Sequence, residues 1–184
     1  MKKFNEIIEL LDTEFDENVL PNAMMIYRKS SEHFQLGKFD LAEKLVKLNF
    51  LLHNSVIPAS ASIGKGSRFA YGGIGVVIHK NAKIGQRCLI GQGVTVGGKC
   101  RGIGNDVYLA TGSKIIGSCT IGNASIIGAN CVVTGNIDEL SIVAGNPGEV
   151  IKKISIDNIK RYQGYFFCKN NEEKLEKFIK FYNL

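Results

Sequence analysis

Large apolar residues recur every six positions through the middle of the chain. They fall at Ile57, Ile63 and Phe69, then at Ile78, Ile84, Ile90 and Val96, then at Ile103, Leu109, Ile115, Ile121, Ile127 and Val133. Four positions after each anchor the side chain is compact: Ala61, Ser67, Gly73, Ala82, Cys88, Val94, Cys100, Val107, Ser113, Cys119, Ser125 and Cys131, with only the last, Ile137, large. Glycine usually follows the anchor, as at Gly64, Gly85, Gly91, Gly97, Gly104, Gly122 and Gly128. A fixed short period with two coupled size constraints predicts a β-solenoid whose triangular turns each take three six-residue steps. Residues 56–150 then supply four to five turns of short parallel strands. Asn81, Asn105, Asn123, Asn130 and Asn136 are the predicted corner residues, because asparagine tolerates left-handed backbone angles that β-branched residues resist.

The rhythm slips twice. Phe69 to Ile78 spans nine residues, an insertion of three through Ala70-Tyr71-Gly72-Gly73-Ile74-Gly75, and Val96 to Ile103 spans seven, through Gly97-Gly98-Lys99-Cys100-Arg101-Gly102. Regular coils satisfy their own backbone, so irregular turns are where a solenoid can carry chemistry. The flanks follow a different period. Residues 1–54 read as helical: Phe4, Ile7, Ile8 and Leu11 form one apolar stripe, Pro21 marks a break, and a further helix starts near Asp40 with Glu43 as a capping box. This segment is expected to cover the open end of the coil. Residues 151–184 form a tail in which Asn170 and Glu173 mark a helix start and Leu175, Phe178, Ile179 and Tyr182 its apolar face. The tail is expected to pack on the solenoid or on a neighbouring subunit.

Composition narrows the function. With 45% hydrophobic and 22% charged residues, the chain is globular rather than disordered. No run approaches the length of a membrane span, and acidic residues interrupt the N-terminal MKKFNEIIELLDTEFDE, so no secretory signal is read there and a cytoplasmic protein is expected. The net charge of +6 is dispersed, without the aromatic-studded basic strip of a nucleic-acid binder, so no nucleic-acid partner is expected. Four of the five cysteines, Cys88, Cys100, Cys119 and Cys131, occupy the compact slot of the repeat and there is no CxxC pair, so they are expected to be core residues and no metal site is expected.

Ile57-Pro58-Ala59-Ser60-Ala61-Ser62-Ile63-Gly64, Gly75-Val76-Val77-Ile78-His79, Gly91-Gln92-Gly93-Val94-Thr95-Val96-Gly97-Gly98, Ile127-Gly128-Ala129-Asn130-Cys131-Val132-Val133-Thr134 and the closing Val143-Ala144-Gly145-Asn146-Pro147 together resemble the hexapeptide-repeat acyltransferases. Within that family the chain is similar to the serine acetyltransferase-like branch and to its relatives that acetylate sugars. The resemblance implies a mainly β fold, a left-handed parallel β-helix with an N-terminal helical cap and a C-terminal helical tail. It also implies a homotrimer with sites between subunits and acetyl-CoA as co-substrate. Thr111, Ala129, Thr134 and Lys152 match positions at which related enzymes contact CoA, whereas Glu149 and Gly135 stand where some relatives carry a basic residue.

Acetyl transfer to a hydroxyl needs a base, donors for the developing oxyanion and a means of holding the two substrates together. Of the three histidines, His33 and His53 fall in the helical segment and read as surface or packing residues. His79 alone lies in the solenoid, in a corner slot usually given to glycine and just after the first slip. It is the candidate base, the alternative being a corner histidine that bonds the next coil. The serine acetyltransferase-like pattern has an Asp-His pair where this chain has Ala70-Tyr71, and a second histidine in a longer loop where this chain has only Gly97 to Gly102. Tyr71 is therefore a candidate for orienting the acceptor, or else packs against a neighbouring subunit. A hydroxyl of a sugar, polysaccharide or similar small polyol is the expected acceptor. The alternatives are serine O-acetylation and a non-catalytic binding module. Covalent transfer through Cys100, which lies in the second irregular turn, is the further chemical alternative.

Overall fold

The computed structural model describes residues 2–16, 18–168 and 170–184. Helices α1 (Lys2–Ile8), α2 (Leu10–Glu14), α3 (Ala23–Gln35) and α4 (Phe39–His53) precede fourteen strands. Twelve of these are two-residue strands: β1 (Ser62–Ile63), β2 (Arg68–Phe69), β3 (Val77–Ile78), β4 (Lys83–Ile84), β5 (Leu89–Ile90), β6 (Thr95–Val96), β7 (Gly102–Ile103), β8 (Tyr108–Leu109), β9 (Lys114–Ile115), β10 (Thr120–Ile121), β11 (Ile126–Ile127) and β12 (Val132–Val133). They stack as a left-handed parallel β-helix. The first face runs β1-β4-β7-β10, the second β2-β5-β8-β11, and the third β3-β6-β9-β12. The second face continues into β13 (Ser141–Ala144), against which β14 (Glu149–Lys153) runs antiparallel.

The six-residue rhythm maps directly onto this prism. All but one of the anchors are buried, and Phe69 is partly buried at the first coil; every compact-slot residue is buried, from Ala61 to Ile137. A fully buried isoleucine contributes about 2 kcal/mol, and such anchors are stacked coil after coil with neighbours in register.

The corners differ from the sequence expectation. Among the five asparagines only Asn130 has a positive φ; the left-handed positions elsewhere fall on Arg87, Asp106, Ala124 and Leu140. Asn105, Asn123 and Asn136 work through their side chains instead. The Gln86 and Asn105 amides each donate across to the next asparagine Oδ1 at 2.8 Å, and the Thr120 amide donates to Asn136 Oδ1 at 3.0 Å. These side chains satisfy corner amides that the inter-coil ladder leaves over.

Helix α3 closes the first coil. The Tyr27 hydroxyl donates to the Ala61 carbonyl at 2.6 Å and accepts from the Ile63 amide at 3.2 Å, while Arg28 donates to the Ile63 and Gly64 carbonyls. An exposed coil edge thus gains partners for its backbone groups. Helix α4 starts at Phe39 without a side-chain cap, so the Asp40–Glu43 box is not formed; α3 is capped by Asn22, just after Pro21.

The tail folds back on the second face. Helix α5 (Ile159–Tyr162), the 3-10 turn Gln163–Phe166 and helix α6 (Glu172–Tyr182) bury Ile159, Phe166, Leu175 and Phe178 against Ile126, Ile142 and Tyr108. The cap of α6 is Asn171, one residue past the predicted start, its Oδ1 accepting from the Lys174 amide at 2.8 Å.

Candidate active site

His79 follows β3 directly, at the corner between the third and first faces. Strand register places Gly97–Gly98, Ile116–Gly117 and Thr134–Gly135 beneath it, one step per coil. The imidazole lies against Gly98: a Cβ built there would sit 2.9 Å from Cδ2, Cε1 and Nε2 of the ring. The glycine of the second slip is therefore the seat of the histidine that follows the first. His79 is partly exposed and its Nδ1 accepts the Asn81 amide at 3.2 Å, an arrangement that puts the neutral ring's proton on Nε2. Beside it, the Gly98 amide donates to no acceptor among the described residues.

Tyr71 is elsewhere. It sits in the inserted loop at the corner between the second and third faces, in left-handed conformation (φ 51°) and 75% exposed. The loop is held by the end of α4: the Gly75 amide donates to the His53 carbonyl at 2.9 Å, the Ser55 hydroxyl donates to the Gly73 carbonyl, and the Val76 amide donates to Ser55 Oγ at 2.9 Å. Gly73 (φ 84°) lies so near Ala23 that a Cβ there would be 2.7 Å from that side chain. Tyr71 lines a cleft of about 580 Å³ with Tyr108, Tyr165, Lys160 and Arg161. The Tyr108 and Tyr165 rings stack at 4.7 Å, and burial, with Tyr165 and Tyr71 close by, pushes the Tyr108 phenol above its ordinary range.

The predicted site residues thus divide. His79 and Thr134 share one corner; Tyr71, Thr111 and Ala129 share the other, by the registers of β2, β5, β8 and β11. Lys152 lies on β14, at the end of the second face. Thr134 is three coils below His79, about 14 Å along the axis at the usual strand spacing. The Thr111 hydroxyl donates to Gln92 Oε1 of the adjacent coil at 3.0 Å and is engaged there. Lys152 is exposed and makes no ion pair among the described residues, whereas Lys153 Nζ donates to Ser141 Oγ at 2.8 Å and to the Glu139 carbonyl at 3.1 Å. Of the two lysines, Lys152 is the one free to meet a phosphate as a point charge.

Cys100 is only 7% exposed and burial raises its thiol pKa, which disfavours a thiolate nucleophile. The other two histidines are spoken for: His33 Nε2 meets Glu14 Oε2 at 2.9 Å and His53 Nε2 meets the Pro21 carbonyl at 2.9 Å. Among the described residues no group of three or more His, Cys, Asp or Glu side chains could hold a metal ion, and no helix is long and apolar enough to cross a membrane. Sequence reasoning missed Gly98, whose signal was the Gly-Gly pair inside the slip, and the Tyr108–Tyr165 stack, for which no periodicity gave a signal.

Residues 102–135 match the bacterial transferase hexapeptide (six repeats) family. The chain is 31% identical over 168 residues to a serine acetyltransferase of Bacillus subtilis, a match covering 80% of this chain and 77% of that protein. It is 36% identical over 129 residues to a serine acetyltransferase of Staphylococcus xylosus, covering 66% of this chain and 59% of that relative's length. Among solved structures, a serine acetyltransferase in complex with CoA superposes with a TM-score of 0.65 at 29% identity, over 70% of this chain and 55% of that one.

Proposed function

The chain belongs to the hexapeptide-repeat transferases, and on that footing we propose that it moves an acetyl group from acetyl-CoA to the hydroxyl of serine. The observation that carries the chemistry is the His79 imidazole seated on Gly98 at a partly exposed corner, beside an amide without a partner among the described residues. His79 takes the hydroxyl proton as the oxygen attacks the thioester carbonyl, and the Gly98 N–H donates to the oxygen on which charge develops. Collapse of that adduct breaks the C–S bond, and the departing thiolate takes the proton from His79. The resting contact from Asn81 keeps the ring proton on Nε2, so base action at Nε2 requires release of that 3.2 Å contact, which is long for a hydrogen bond, and exchange of the ring proton through solvent from Nε2 to Nδ1. Thr134 lies down the same corner, in line for the pantetheine arm, and Lys152 supplies charge for a phosphate.

The relatives' names put serine ahead of the sugar hydroxyl that the departures at Ala70-Tyr71 and in the second loop suggest. A sugar acceptor stays as the second reading on one observation, the tyrosine-lined cleft beside Tyr71 with Lys160 and Arg161 at its edge. We also propose a homotrimer. Val56, Ile74, Val77 and Ile116 leave apolar side chains exposed along the third face and its two corners, the surface between His79 and Tyr71. A neighbouring copy there would cover them and bring a second subunit's corner to His79.

Release of free thiol from acetyl-CoA, measured with serine, with an amino sugar and without acceptor, tests the proposal. Serine-dependent release is expected. A faster rate with the sugar would install the second reading, and no release above the acceptor-free blank with any hydroxyl would leave only a non-catalytic module.

A further inference from the structure

Where α6 crosses the corner between the first and second faces it leaves a cavity of about 850 Å³. Its floor is an ion pair between the half-exposed Arg87 and the buried Asp106. Arg87 Nε and Nη2 donate to the two oxygens of Asp106 at 2.8 and 2.7 Å, and the Tyr182 hydroxyl donates to Asp106 Oδ2 at 2.6 Å. Asp106 is 4% exposed, and it is the only acid on the lining. Its charge is fully engaged by these three bonds.

The walls are aromatic. Phe166 and Phe178 stack at 4.8 Å, and Phe181, 69% exposed, stands at the opening. Arg68 enters from β2 with its guanidinium 3.9 Å from the Phe167 ring centroid, and Lys174 and Lys177 enter from α6. Lys177 is paired with Glu173 at 2.6 Å, but Arg68 and Lys174 have no acid partner among the described residues. A concave site of this volume, mainly apolar with a few convergent polar groups, is the usual form of a small-molecule site. The surplus of charge is positive, and the body of the site is built from flat rings.

We propose that this cavity binds a small aromatic anion, of the class of a nucleoside monophosphate, with its ring against Phe178 and Phe181 and its acidic group between Arg68 and Lys174. Charge-assisted bonds to two cations without an acid partner among the described residues give the recognition, and the rings disfavour anions that have no aromatic part. The site lies at a different corner from His79 and does not depend on the acetyl-transfer reading. Because α6 forms one wall, occupation also holds the tail against the solenoid.

The test is calorimetric titration of the full-length protein with AMP, GMP, CMP, UMP and ribose 5-phosphate, repeated on the Arg68→Ala/Lys174→Ala double variant and on Phe181→Ala. All three positions are at the surface, and unchanged thermal melting without ligand would show that the variants fold. Binding of at least one nucleotide is expected, weakened about tenfold or more in each variant, with ribose 5-phosphate far weaker. Absence of binding by all four nucleotides at millimolar concentration, equal binding of ribose 5-phosphate, or full affinity in the double variant would each overturn the proposal.

Discussion

A methyl group at position 98 should cost this protein activity before it costs stability. A Cβ on Gly98 would stand 2.9 Å from three atoms of the His79 ring, and the side chain rather than the backbone must give way. Gly98→Ala is therefore expected to lower acetyl transfer by about tenfold or more, since misplacing a catalytic group by an ångström is worth that much. Gly102→Ala, where a Cβ meets nothing within 4 Å, serves as the control and should leave the rate unchanged. Steady-state rates and melting curves of the two variants check this. The core cysteines give a second expectation. Burial pushes the Cys88 and Cys119 thiols from their ordinary 9.0 up to about 11. Between those values the unfolded chain has lost these protons and the folded chain has kept them, so stability is full below about pH 9 and falls as pH rises toward 11. Melting temperature against pH should show that decline, and Cys88→Ser should flatten it. The compact slots of these cysteines were legible because size recurs with the period. The left-handed corners at Asp106 and Ala124 were not, because Asn105 and Asn123 beside them serve as hydrogen-bond acceptors and the positive φ falls one residue later.

Among the elements, α6 depends on one carboxylate. Asp106 holds Arg87 and Tyr182 together, a polar tie between the solenoid corner and the end of the helix. Asp106→Ala removes both partners' acceptor and leaves the half-exposed Arg87 without its counter-charge, at a cost of about 2 kcal/mol, below the range for a fully buried pair because water reaches Arg87. Hydrogen exchange over residues 172–182 should rise in that variant, while exchange in β4 to β9 stays slow. Tyr182→Phe, which loses one bond, should cost about 1 kcal/mol. The helix itself was legible from Leu175, Phe178, Ile179 and Tyr182 at helical spacing. Its docking was not, because Asp106 and Tyr182 are 76 positions apart and neither residue type announces a partner at that range. The same holds for the cap, where Tyr27 and Arg28 reach the first coil through backbone carbonyls that carry no sequence signal.

At the scale of the whole molecule, the prism separates what the sequence reading had placed in one site. Tyr71 and His79 flank opposite edges of the third face, and a strand-and-corner geometry with no bend at β3 cannot bring them together within a chain. If sites form between subunits, the particle in solution is a trimer, and light scattering should give three times 20.1 kDa. The repeat made the fold legible because each step repeats the same constraint. The acceptor was not legible because the two irregular turns, the places proposed for acceptor contacts, carry no recurring constraint. The most direct measurement is the rate of serine-dependent thiol release from acetyl-CoA by the wild type and by His79→Ala at equal melting temperature. The account predicts a loss of at least about a hundredfold in the variant. A His79→Ala protein that transfers acetyl groups at the wild-type rate would contradict it.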